Sequence, residues 1–270
     1  MKKLISLLCA LFLFSSLFAA PVRAESSVTI TELGLDLTLP DELYFITREL
    51  PPGDPAWEMF DLPRDEMIRQ LADNSFYLFA FPGGLDYTIT LSVKASEEQE
   101  KIFDFNLYPD DEIMALWNSE ELDEELDEQL EFEGVSLSDV RVHQSPEAKY
   151  LVYSADIAEE GSSGHLYQYT TVYNGRAYSL SVISLGEAAA ESYDEVLCRI
   201  ADSVHFHEKL KPSVSTYAEE QSKESPLRAA FNLPDFLGDL AIGAAGGFIW
   251  WLAAGKKKEK RGKRVGDPEL

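Results

Sequence analysis

Leu33, Leu35, Leu37 and Leu39 alternate with Gly34, Asp36 and Thr38, and this period of two predicts a strand with one face buried. "YFIT", Tyr44 to Thr47, predicts a second strand after a short turn. In "DLPRDEMIRQLADN" the period changes to that of a helix, with Pro63 in its first turn and Met67, Ile68 and Leu71 on one face. "SFYLFAFPGGLDYTITLSVK" reads as a hairpin turning at Pro82-Gly83-Gly84. A helical region follows from about Pro109 to Glu133, where Leu122, Leu126 and Leu130 form a narrow apolar stripe among acidic residues. Strands resume with "VSLSDVRVHQ" and "KYLVYSADI", then the loop "AEEGSSG". "HLYQYTTVYNGRAYSLSVIS" carries the strongest turn signal of the chain, Asn174-Gly175. Tyr167, Tyr169 and Tyr173 share a face before that turn, and Tyr178, Leu180 and Val182 alternate after it, which predicts cross-strand packing. A last helix, "EAAAESYDEVLCRIADS", turns Tyr193, Val196, Leu197, Ile200 and Ala201 inward, and "VHF" supplies a short final strand.

The two ends follow other patterns. Lys2 and Lys3, an apolar run from Leu4 to Ala20 and the small-residue site Val22-Arg23-Ala24 have the order of a secretory signal peptide over residues 1–24, and Cys9 lies too early in the apolar run for a lipoprotein acceptor. Near the other end, "FLGDLAIGAAGGFIWWLAA", residues 236–254, just reaches the roughly 20 residues needed to cross a bilayer. Trp250 and Trp251 suit the interfacial belt, and Lys256, Lys257 and Lys258 open a basic flank of the kind the positive-inside rule places in the cytoplasm. Gly243 and Gly247 leave one face small enough for self-association of this helix. Leu233-Pro234 lacks the Thr-Gly that a wall-sorting motif needs after it. The expected organisation is therefore a signal peptide (1–24), an extracytoplasmic domain (25–207), a polar stalk (208–235), one transmembrane helix (236–254) and a basic cytoplasmic tail (255–270), in a single-pass protein of the cell membrane.

Charge sharpens this picture. The whole chain of 270 residues carries −25, but between Glu25 and Gly255 there are 13 basic and 45 acidic side chains, a net −32. Such a surface excludes nucleic acid, whose phosphates need a basic partner. It suits a basic or cation-rich protein or a cell-envelope component. Glu124, Glu125, Asp127 and Glu128, on the acidic helix, read either as the landing face for that partner or as a solvated face.

Candidate chemistry is sparse. Cys198 is the one thiol outside the signal segment, so no disulfide is expected within the exported part. It lies beside the buried stripe of its helix and reads as a packed thiol. There is no G-x-S-x-G, no H-E-x-x-H and no glycine-rich phosphate loop. Of the four histidines, His205 and His207 share one side of a short strand, with Glu208 adjacent and no third ligand at a usual spacing. No catalytic residue, cofactor or metal ligand is expected. The reading is a tethered binding or assembly domain; the alternative is an extracytoplasmic enzyme, such as a hydrolase, with no site visible in the sequence.

The strand, Asn-Gly turn, Tyr-containing strand, amphipathic helix and "ADSVHF" ending, with "LGLDLTLPDELYF" near the start, resemble the PsbP-like fold of PsbP, the Mog-type Ran-binding proteins and DcrB. The resemblance covers most of Ser27 to Phe206. "FDLPRDEMIRQLADNSFYLFAF", "FNLY", "VYNGRAY" and the glycine-rich anchor are similar to membrane-anchored proteins of unassigned role in Clostridia-type bacteria. The resemblance implies an α+β fold, an antiparallel β-sheet covered by helices, and a role in binding or assembling proteins, because the known members mostly do so.

Overall fold

A computed structural model describes residues 25–60, 62–83, 87–117, 135–159, 162–185 and 190–211. The expected signal peptide, transmembrane helix and basic tail, with Gly243, Gly247, Trp250, Trp251 and Lys256 to Lys258, lie outside these residues, as do Glu124, Glu125, Asp127 and Glu128. No helix among the described residues is long and apolar enough to cross a membrane.

In chain order the strands are β1 (Glu25–Ile30), β2 (Leu35–Pro40), β3 (Leu43–Thr47), β4 (Phe76–Pro82), β5 (Tyr87–Lys94), β6 (Val135–Gln144), β7 (Lys149–Glu159), β8 (Ser162–Tyr173), β9 (Arg176–Leu185) and β10 (His205–Phe206). The helices are α1 (Arg64–Asp73), α2 (Glu97–Ile102), α3 (Asp110–Trp117) and α4 (Ala190–Ser203). A small sheet runs β1-β2-β10 and a large one β3-β4-β5-β9-β8-β7-β6, all pairs antiparallel. Hairpins join most neighbours, but β5 pairs with β9 across the helical region and so fuses an N-terminal and a C-terminal set of strands.

The register places Leu78, Leu91, Leu180, Tyr169, Val152 and Arg141 opposite one another in sequence across six strands. Five of these side chains are buried and the sixth, on the edge strand, is polar and half-exposed. Strand pairing therefore carries the core out to a polar rim. The small sheet and α4 cover this face: Leu35, Leu37 and Leu39 of β2 and Leu197, Ile200 and Ala201 of α4 are buried against Tyr169, Tyr173, Tyr178 and Leu180. Ser203 ties helix to sheet by accepting the Thr38 amide at 2.9 Å. On the opposite face Trp57, Met67 and Leu71 pack on Ile46, Phe76, Phe79 and Phe81. Further along that face the sheet is polar, and Ser181, Gln168, Thr170 and Ser179 satisfy one another at 3.0–3.1 Å.

The Asn174-Gly175 hairpin forms as expected, with both residues at positive φ, 53° and 72°. Four details depart from the sequence reading, the first being that the expected loop "AEEGSSG" is mostly strand, since β7 runs on to Glu159 and β8 starts at Ser162, with Ala158 paired to Ser163. The first strand begins at Leu35 and not Leu33, because Gly34 takes a left-handed conformation (φ 61°) after a single turn at Thr31–Leu33, and β1 precedes it. Pro63 caps α1 from outside, and Ile68 is only half-buried while Met67 and Leu71 are buried. α2, unexpected from periodicity, is started by the Ser96 hydroxyl accepting the Gln99 amide.

Candidate functional site

α4 carries Asp194, Cys198 and Asp202 at intervals of four, so they lie on one stripe next to the buried stripe. Across from them stands β6, whose Arg141 and His143 are two apart and share a side of the strand. What aims them at α4 is a bulge. Ser138 pairs with Ser154, but the next paired residue, Arg141, faces Val152, so β6 holds one extra residue. Asp139 in the bulge has φ 55°, a conformation aspartate tolerates better than most residues. A shift by one residue exchanges the two faces of a strand, and here it turns Arg141 and His143 toward Tyr169 and the helix.

Two linked groups result. Arg141 Nη2 donates to Asp194 Oδ1 at 2.6 Å and to the Tyr169 hydroxyl at 3.1 Å, while that hydroxyl donates to the same carboxylate oxygen at 2.6 Å. Burial, and next the Asp194 carboxylate, push the Tyr169 phenol well above its ordinary value, so it remains a donor. Beside it, His143 Nε2 lies 2.8 Å from Asp202 Oδ1 and 3.9 Å from Cys198 Sγ, and Sγ lies 3.8 Å from Asp202 Oδ2. The Tyr169 and His143 rings meet edge to face, with centroids 5.5 Å apart and planes at 69°.

The arrangement is not that of a nucleophilic cysteine. A Cys-His-Asp triad divides the imidazole, with the nucleophile on one ring nitrogen and the acid on the other. Here Cys198 and Asp202 approach the same nitrogen. Burial raises the Cys198 thiol above its ordinary value, and Asp202 and Asp194 raise it further. A thiolate at this point needs a compensating positive charge. What the geometry provides is three donor atoms of different kinds, all within 4.8 Å of one another.

The histidine pair singled out in the sequence is divided. His205 and His207 flank the inward Phe206 with ring centroids 6.3 Å apart, but each meets its own carboxylate. His205 Nδ1 is 2.5 Å from Glu147 Oε1 and His207 Nε2 is 3.1 Å from Asp36 Oδ2. Glu147 also accepts the Phe206 amide at 3.1 Å, so this pair fastens β10 in place. The sequence reading passed over His143 and Asp202. The available signal was D-x-x-x-C-x-x-x-D on the last helix, together with "VSLSDVRVHQ", in which apolar positions change from odd (Val135, Leu137) to even (Val140, Val142), as they do across a bulge.

No protein-family model matches the chain, and no curated protein matches it. Among solved structures it is similar to cyanobacterial PsbP (CyanoP) from Synechocystis, with 9% identity and a TM-score of 0.40 over 70% of this chain and 95% of that one. It is similar also to the T6SS immunity protein TplEi of Pseudomonas aeruginosa, with 10% identity and a TM-score of 0.38 over 68% of this chain and 98% of that one. A mutant of Mog1 gives 8% identity and a TM-score of 0.37 over 72% and 100% respectively. PsbP and Mog1 belong to the group whose fold the sequence resembles, and no residue of the site is carried over from any of them.

Proposed function

We propose that the protein is an extracytoplasmic binding or assembly domain of PsbP-like type, tethered to the cell membrane by residues 236–254, and that it captures a basic or cation-rich partner without turning over a substrate. The observation that carries this reading is the net charge of −32 between Glu25 and Gly255. Many of these charges stand in water, among them Glu32, Asp41, Glu42, Glu49, Glu58, Asp65, Glu97, Asp110 and Asp111. A field of one sign steers oppositely charged surfaces and raises their rate of encounter. The signal pattern, the basic flank at Lys256, Lys257 and Lys258 and the similarity to membrane-anchored Clostridia-type proteins support the tether.

The test uses the full chain. Protease added to intact spheroplasts should remove the part from Glu25 to about Asp235 and spare an epitope on Lys256 to Leu270, and protection of the large part overturns the topology. The purified chain in detergent should bind a lysine-rich peptide with an affinity that falls steeply as salt rises, since exposed charges are screened beyond about 10 Å at 0.1 M. Binding indifferent to salt, or saturable turnover of a small molecule lost on a point substitution that preserves the fold, overturns it.

A further inference from the structure

We propose that His143, Cys198 and Asp202 form a binding site for a divalent cation of the zinc class, held through His143 Nε2, the Cys198 thiolate and a carboxylate oxygen of Asp202, with the fourth position open to solvent. The inference deepens the binding reading by naming a ligand, and stands on its own geometry.

Convergence is the first argument. Tetrahedral zinc has bonds of about 2.0–2.3 Å to N, O and S, which sets its ligand atoms roughly 3.4–3.6 Å apart. His143 Nε2 lies 2.8 Å from Asp202 Oδ1 and 3.9 Å from Cys198 Sγ, the sulfur lies 3.8 Å from the other carboxylate oxygen, Oδ2, and one donor atom from each residue falls within 4.8 Å of the other two. Seating the ion therefore requires the His143–Asp202 contact to open by about 0.6 Å and the sulfur to close by about 0.3 Å. Side-chain rotation within a rotamer well covers such shifts. Cys198 and Asp202 are one helical turn apart on α4, the spacing that sets two ligands over one another, and His143 comes from the facing strand.

Charge and softness narrow the ion. A thiolate, a carboxylate and a neutral imidazole carry −2, which a divalent cation balances. A thiolate with an imidazole selects zinc-like ions over calcium or magnesium, which take oxygen ligands. On binding, the thiol proton and any proton on Nε2 leave to solvent as the metal–sulfur and metal–nitrogen bonds form. The surroundings are ready for this. Asp194, the other carboxylate on the same stripe of α4, is occupied by Arg141 and Tyr169, and Tyr169 and Tyr150 frame the His143 ring at 5.5 and 6.5 Å. The His143 side chain is 21% exposed and that of Asp202 43%, so the open side faces water and admits the ion.

The test is a titration of the full chain in detergent, stripped of metal, with Co²⁺ and then Zn²⁺. Expected are one Co²⁺ per chain with a thiolate-to-cobalt charge-transfer band, displacement of that band by Zn²⁺, and no displacement by roughly a hundredfold excess of Ca²⁺ or Mg²⁺. Cys198→Ser should abolish the band. His143→Ala and Asp202→Asn should each weaken Zn²⁺ by about tenfold or more, while His205→Ala should leave it unchanged. Zn²⁺ at about 100 times its Kd should raise the Tm by about 5–10 °C in the unaltered chain. Asp202→Asn, at a half-exposed position and nearly isosteric, serves as the second variant where Cys198→Ser does not fold. Absence of the band, or Zn²⁺ binding that survives these substitutions and yields to Ca²⁺, overturns the site and assigns the ion to the acidic surface at large. Either result is separate from lysine-peptide capture, which is argued from the net charge of the whole exported part and not from this cluster.

Discussion

Tyr169→Phe isolates the contribution of one hydroxyl to the junction between sheet and helix. Tyr169 is fully buried, and the phenyl ring of the variant fills the same volume, so no cavity term enters. What is lost is a 2.6 Å hydrogen bond to Asp194 and the acceptor for Arg141 at 3.1 Å. A hydrogen bond to a charged group contributes about 1.5–3 kcal/mol. The low end applies, because the Asp194 side chain is 31% exposed and keeps Arg141 at 2.6 Å, so water and the guanidinium replace part of the loss. The expected destabilisation is about 1.5 kcal/mol, which for a domain of this size lowers the Tm by about 3–6 °C. Urea unfolding of the full chain in detergent measures it, with an unchanged slope as the sign that the folded and unfolded states have not otherwise altered. A cycle with Asp194→Asn separates the bond from the ring, and the two substitutions should be coupled by about 1 kcal/mol. A loss below about 0.3 kcal/mol for Tyr169→Phe, or strict additivity with Asp194→Asn, would refute the view that this hydroxyl joins α4 to β8.

Gly175→Ala should cost about 1–2 kcal/mol in the same assay, because φ is 72° there and the added Cβ would come within 3.4 Å of Glu100 Cα; an unchanged midpoint counts against that geometry. His205 is held above its ordinary pKa by its hydrogen bond to Glu147, with a smaller push from Asp36, so its contribution is complete below about pH 6.5 and is lost as pH rises through the raised folded value. The Tm difference between the protein and His205→Ala should accordingly be larger at about pH 6 than at about pH 8.5, and a constant difference removes the ion pair from the account. Reversal of Glu124, Glu125 and Glu128 to Lys should slow capture of the lysine-rich peptide severalfold at low salt if this acidic segment is the landing face, and an unchanged rate makes it merely solvated.

Local chemistry along the chain specified much of the architecture. A residue pair such as Asn174-Gly175 needs no distant partner to favour its turn, and alternation at Leu35, Leu37 and Leu39 or the stripe at Leu197, Ile200 and Ala201 follows from the repeat of strand and helix alone. The tyrosines at 167, 169, 173 and 178 fell on the expected core face for the same reason. α2 was not legible, since its start depends on one serine cap and its few residues carry no usable period.

Tertiary structure decided which faces meet. The pairing of β5 with β9 depends on two segments far apart in sequence, and no local preference selects it. The site has the same origin: His143 stands 55 residues from Cys198 and 59 from Asp202, and the single extra residue in β6 determines which side of the strand it occupies. Sequence spacing predicts ligands that share one helix or loop. It does not show that a bulge at Asp139 turns His143 toward α4, or that Glu147 and Asp36 take up His205 and His207 separately, because both depend on register between strands.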